Sequence, residues 1–196
     1  MTDHDATLTD TLASTLEELL KPALQRWGRH TSTDYPAFQP IVTLRMTYIE
    51  DMTIQLIDAE AQRRQVHDSD RQRAVWYCIR KALICLRPPT STLSSEIQAA
   101  LDNLSQQRWP RDLPVPQECH QYLMLSLAYV LKSHTNQELA TIFDVSVRSI
   151  ASIRNQAIAA VARQLAAWEV TCRRRGSEPL ELSAPVRVNH HSNRQR

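Results

Sequence analysis

The sequence predicts an all-α protein, and three observations carry that prediction. The 196-residue chain has only two glycines, Gly28 and Gly176, against an average usage of about 7%. Glycine supplies left-handed turns and phosphate-cradling loops. Its scarcity argues against a Walker loop, a dinucleotide-binding fingerprint and a hairpin-rich sheet. Good helix formers such as Leu, Ala, Gln, Arg and Glu are abundant instead. Apolar residues also recur every three or four positions along most of the chain, the period of a half-buried helix.

Each element follows from that period and from its end signals. Leu8, Leu12, Leu16, Leu19, Leu20 and Leu24 form one stripe and predict a first helix over 8–27. Pro22 is expected to kink or divide it, and Gly28 to end it. After the polar loop RHTSTDYP, a second helix is expected over 40–66, with Ile41, Leu44, Tyr48, Met52, Leu56 and Ala59 on one side. Val75, Ile79, Leu83 and Leu86 predict a third helix over 70–86, stopped by Pro88 and Pro89. A fourth is expected over 92–106, with Leu93, Ile97, Leu101 and Leu104 inward. Pro110, Pro114 and Pro116 make 110–116 a linker, because proline at this density favours extended chain. Two units follow: an N-terminal helical domain over 1–109 and a second helical domain over 117–175. Residues 176–196 have no sustained period and are expected to form a disordered tail.

Composition narrows the functional classes. Hydrophobic residues make up 42% and charged residues 22%, which suits a globular protein. The opening MTDHDATLTD has no basic region feeding an apolar run, so no leader is visible. No stretch reaches the ~18 apolar residues of a membrane span. A cytoplasmic protein without a membrane partner is expected. Cys78, Cys85, Cys119 and Cys172 form no CxxC pair and are expected to be buried, reduced thiols. No HExxH, GxSxG, Cys–His motif or carboxylate pair stands out, so neither an enzyme nor a cofactor is expected. Net charge is +2, divided as −2 over residues 1–116 and +4 over 117–196. That asymmetry permits nucleic-acid binding without announcing it.

The segment SHTNQELATIFDVSVRSIASIRNQAIAAV, residues 133–161, carries the function. Thr135 is followed three residues later by Glu138, the capping-box spacing. It opens a short helix over 136–143 with Leu139, Ala140 and Phe143 inward. Asp144-Val145-Ser146 breaks the pattern, and Ser146 is a second N-cap. Ile150, Ile153, Ala157, Val161, Leu165 and Trp168 then form one long stripe. The opposite face carries Arg148, Ser149, Ser152, Asn155 and Gln156, with Ala159 and Arg163 a turn later. Arg can contact guanine bidentately, Asn or Gln adenine, and Ser bases or phosphates. The caps at Thr135 and Ser146 open helix N-termini that attract phosphate, with Asn136 directly after the first. Arg148, Ser149, Ser152 and Gln156 are therefore expected at base edges. Arg154, Arg163 and the run Arg173–Arg175 are expected nearer phosphates.

The stretch TNQELATIFDVSVRSIASIRNQ resembles the helix-turn-helix of LuxR-type response regulators, and equally region 4 of extracytoplasmic-function sigma factors. The resemblance rests on Asn136, Glu138-Leu139-Ala140, Ile142-Phe143, Val145-Ser146 and Ser149-Ile150, over roughly 30 residues. It implies a transcription regulator with double-stranded DNA as its partner. These families usually have glycine where Asp144 stands, and a further glycine near the end of the preceding helix. The recognition helix is also poor in charge, with Ala151, Ala157, Ala159 and Ala160. Residues 117–172 are neutral overall, with four basic and four acidic groups. Weak intrinsic DNA affinity follows, and partner assistance is expected to compensate.

Two other readings stay open. The order of helical segment, proline-bearing linker and helical segment is similar to that of extracytoplasmic-function sigma factors, which implies RNA polymerase as a partner. AVWYCIRKALICLR is similar to their promoter-melting segment through Trp76, Ile79 and Arg80, and Asp58-Ala59-Glu60 echoes their acidic polymerase-binding segment. Trp76 is expected in the core. The third reading is a helical protein-interaction adaptor. The N-terminal stripes fit a monomer core or a homodimer seam equally well.

Overall fold

A computed structural model describes residues 3–29, 35–59, 65–104, 109–110 and 112–175. Every regular element among them is helical, in agreement with the all-α prediction. No helix there is long and apolar enough to cross a membrane.

Helix α1, Asp3–Arg29, buries Leu16, Leu20, Leu24 and Trp27 along one stripe, while Leu8 stays at the surface. Pro22 does not divide it. The carbonyl that Pro22 leaves without a donor belongs to Glu18, an exposed residue whose backbone water can reach. The loop at 30–34 lies outside the described residues, and Tyr35–Phe38 forms a single 3₁₀ turn.

The second helix departs from expectation. It is broken into α2, Gln39–Val42, and α3, Thr47–Ala59. Between them Arg45 takes the left-handed conformation at φ 49°, and the Thr43 hydroxyl donates to the Pro40 carbonyl at 2.6 Å. The break is stabilised from far along the chain. The fully buried carboxylate of Glu169 accepts from the amides of Thr47 at 3.1 Å and Tyr48 at 2.9 Å. A carboxylate at a helix N-terminus satisfies orphan N–H groups and opposes the helix dipole.

Helix α4, Asp68–Cys85, starts two residues earlier than predicted. The buried Asp70 carboxylate accepts from the His67 amide at 3.0 Å, which fixes that start. Arg71 bonds both Glu50 carboxylate oxygens at 2.9 Å and ties α4 to α3. Helix α5, Ser95–Asp102, is shorter than expected and is capped by Ser94; residues 105–108 lie outside the described residues. The proline-bearing connection is anchored where it is described. Trp109 is buried and its indole N–H donates to the Leu113 carbonyl at 2.8 Å.

The second helical segment of the chain opens in three geometries. A 3₁₀ turn, Gln117–Cys119, leads into α6, His120–Leu125, which widens into a π turn, Ser126–Val130. The chain then reverses at Lys132, left-handed at φ 52°, with the Ser133 amide bonded to the Leu127 carbonyl at 3.1 Å. Lys132 Nζ lies 4.3 Å from the centre of the Trp27 ring. Desolvation there lowers the pKa of the ammonium.

Helix α7, Asn136–Ile142, and helix α8, Val147–Arg175, complete the fold. At 1.5 Å per residue, the 29 residues of α8 span about 43 Å. It packs on α1, α3, α4, α6 and α7. The α1–α8 contact is the most extensive in the fold. Residues on both sides of the 110–116 segment thus share one hydrophobic cluster, from Leu16 and Leu20 to Ile150, Val161 and Leu165. The Trp27 indole N–H also donates to the Tyr129 carbonyl at 3.2 Å.

Candidate nucleic-acid interface

The α7–turn–α8 pair is built by local bonds the sequence encodes. The Thr135 hydroxyl accepts from the Glu138 amide at 3.3 Å, and the Glu138 carboxylate accepts from the Thr135 amide at 2.7 Å. This reciprocal pair holds the first turn of α7. Leu139, Ala140 and Phe143 are buried, as their spacing predicts, and Phe143 stacks on His120 with centroids 5.0 Å apart.

The turn solves the missing-glycine problem directly. Asp144 is left-handed at φ 50°. The Val145 amide reaches the Ala140 carbonyl at 3.0 Å, and the Asp144 amide reaches the Thr141 carbonyl at 3.3 Å. These are the two bonds of a Schellman helix end. Aspartate is among the few residues that tolerate the left-handed conformation there. Ser146 then opens α8: its hydroxyl accepts from the Ser149 amide at 3.2 Å and lies 2.8 Å from the Ser149 hydroxyl.

Buried Ile150, Ala157, Val161 and Leu165 anchor the inner stripe of α8, with Ile153 and Trp168 partly buried along it. The opposite face of the first turns exposes Arg148, Ser152, Asn155 and Gln156 side by side. Their spacing of four, three and one residues keeps them on one side of the helix. Arg, Ser, Asn and Gln there offer the hydrogen-bonding groups that base edges in a major groove match.

The other expected contacts are arranged differently. Ser149 is half-buried and engaged with Ser146. Arg154 is half-buried and turned toward the start of α7, where an Nη donates to the Asn136 side-chain carbonyl. Thr135 is exposed but committed to its cap. Arg163 is exposed beside a groove of about 420 Å³ that it lines with Asp10, Ser14, Glu17, Gln156 and Ala159. Two carboxylates of α1 there oppose a phosphate. The Arg173–Arg175 run sits at the far end of α8, 25 residues beyond Arg148, a distance of about 38 Å along the axis. Arg173 is paired with Glu169 at 2.6 Å. The run therefore does not share a groove with the exposed face at 148–156.

One residue escaped the sequence reading. Val147 begins α8 and is 44% exposed beside Arg148, with exposed Ala151 one turn on. Both are suited to a thymine methyl. Val145 and Val147 look alike in the sequence, and only the turn geometry turns the first inward and the second out.

Among the described residues, no group of three or more His, Cys, Asp or Glu side chains is placed to hold a metal ion. Cys78, Cys119 and Cys172 are buried, whereas Cys85 is exposed, contrary to expectation. Burial pushes the Cys78 thiol up to about 12 and raises those of Cys119 and Cys172 as well. No family model matches the chain, and no curated protein or solved structure matches it significantly.

Proposed function

We propose that this protein is a sequence-specific DNA-binding transcription regulator, with residues 117–175 as its helix-turn-helix unit. The observation that carries the reading is the exposed face of Arg148, Ser152, Asn155 and Gln156 on the first turns of α8. It stands directly after a two-bond turn and a serine cap, where base contacts of a recognition helix concentrate. From Arg148 to Gln156 the face is about 12 Å long. At 3.4 Å per base step, that reads about four base pairs.

A four-base-pair footprint, on a stretch (117–172) without net charge, makes one copy a weak binder. Full affinity then comes from a second copy or from RNA polymerase. The sigma-type reading is less favoured. Trp76, which the resemblance would bring to promoter melting, is packed 4.6 Å from Trp27 and 5.8 Å from Phe38, centroid to centroid. The test is selection from a random duplex pool with the full chain, alone and with RNA polymerase. Enrichment of a short motif supports the reading, and recovery of unselected sequence in both arms rejects it.

A further inference from the structure

A polar cleft of about 390 Å³ opens where α1, the π turn, the start of α7 and α8 meet. Gln25, Tyr129, His134, Thr135, Asn136 and Arg154 line it, and no acidic side chain is among its lining residues. One Arg154 Nη is held by Asn136, whereas the Arg154 Nε is buried without a hydrogen-bond partner. A guanidinium N–H removed from water calls for an acceptor. The planar guanidinium of arginine is shaped for an oxyanion. Arg154 also acts electrostatically on the buried Tyr129, opposing the rise that burial imposes on its phenol. Arg154 thus brings a positive charge to the lining of the cleft.

We propose that this cleft binds a small phosphate-bearing molecule, held by the guanidinium of Arg154 with Gln25 and His134 on the rim. Gln25 on α1, His134 on the 133–135 connection and Arg154 on α8 bring polar groups to it from three elements. At about 30 Å³ per water, the cleft has room for on the order of a dozen waters. Space remains beside a phosphate for the group that carries it. Arg154 also holds Asn136, so an occupant bears on the contact that ties the start of α7 to α8. The site does not depend on the DNA-reading proposal.

The test uses the DNA-free full chain, labelled with ¹⁵N. Inorganic phosphate and a nucleoside monophosphate are titrated at constant ionic strength, with chloride as the control. The expected result is a saturable shift of the Arg154 Nε–H and the Gln25 amide that chloride does not produce. Arg154→Gln should weaken it by at least about tenfold. Should that variant unfold, Gln25→Leu provides the check from the α1 side and should also weaken binding. The absence of a saturable shift with either ligand, or undiminished affinity in the variant that folds, overturns the proposal. So does a third outcome, in which Arg154→Gln weakens DNA binding while the free protein ignores phosphate. The arginine would then serve the DNA backbone alone.

Discussion

Glu169→Ala is the substitution with the largest expected effect on stability. The carboxylate is fully buried and makes three bonds: to the amides of Thr47 and Tyr48 and to Arg173 Nε. Arg173 is half exposed, so water replaces its partner and that bond contributes little. The two amides are different. They are the first donors of α3 and have no intrahelical acceptor. Hydrogen bonds to a charged group contribute about 1.5–3 kcal/mol each, so losing two should cost about 3–6 kcal/mol. That is a large share of the 5–15 kcal/mol typical of a domain. Glu169→Gln should fall between, because its carboxamide keeps one acceptor and turns a donor toward the second amide. Urea unfolding followed by circular dichroism measures both. Hydrogen exchange at Thr47 and Tyr48 should accelerate in the alanine variant beyond its global loss of stability. A cost below about 1 kcal/mol, with those amides still protected, would refute the reasoning.

Other expectations follow from single residues. Asp144→Gly should stabilise the protein by about 1 kcal/mol and Asp144→Val should destabilise it, because the position is left-handed; thermal unfolding decides. Thiol titration of the native protein should find Cys85 reacting quickly and Cys78, Cys119 and Cys172 slowly, with all four reacting once unfolded. Fast reaction at a second site would place another thiol at the surface. Asp51 is held above the usual carboxylate range, first by burial and then by Glu169 and Glu50. A raised folded pKa favours the protonated form, so its contribution is present below the unfolded value and lost as pH rises through the folded one. Asp51→Asn should therefore raise the melting temperature at pH 7, by less than about 1 kcal/mol in stability, and leave it unchanged near pH 3. An unchanged or lowered midpoint at pH 7 would count against this.

The parts of the fold legible in the sequence are those whose causes are local. Thr135 with Glu138, and Ser146 with Ser149, lie within one helical turn of each other. The starts of α7 and α8 accordingly fall where the spacing puts them. The break between α2 and α3 was not legible, because the carboxylate that caps α3 comes from Glu169, 122 residues beyond Thr47. Glycine counting misled in one respect. Arg45, Lys132 and Asp144 all occupy left-handed turns, and only Asp144 belongs to a residue type that favours them. For the candidate interface, periodicity identifies the exposed face of α8. It does not reveal that Ser149 is tied to Ser146, that Arg154 turns to Asn136, or that α1 brings Asp10 and Glu17 beside Arg163.

The central claim is that the face of Arg148, Ser152, Asn155 and Gln156 reads bases. Its most direct test is base-by-base specificity of Arg148→Ala against Arg163→Ala, measured on the selected motif at one fixed salt concentration. Arg148→Ala should cost about 1–3 kcal/mol at a single base position and relax the preference there. Arg163→Ala should leave every base preference intact. The same motif with the same penalties in both variants would contradict the account.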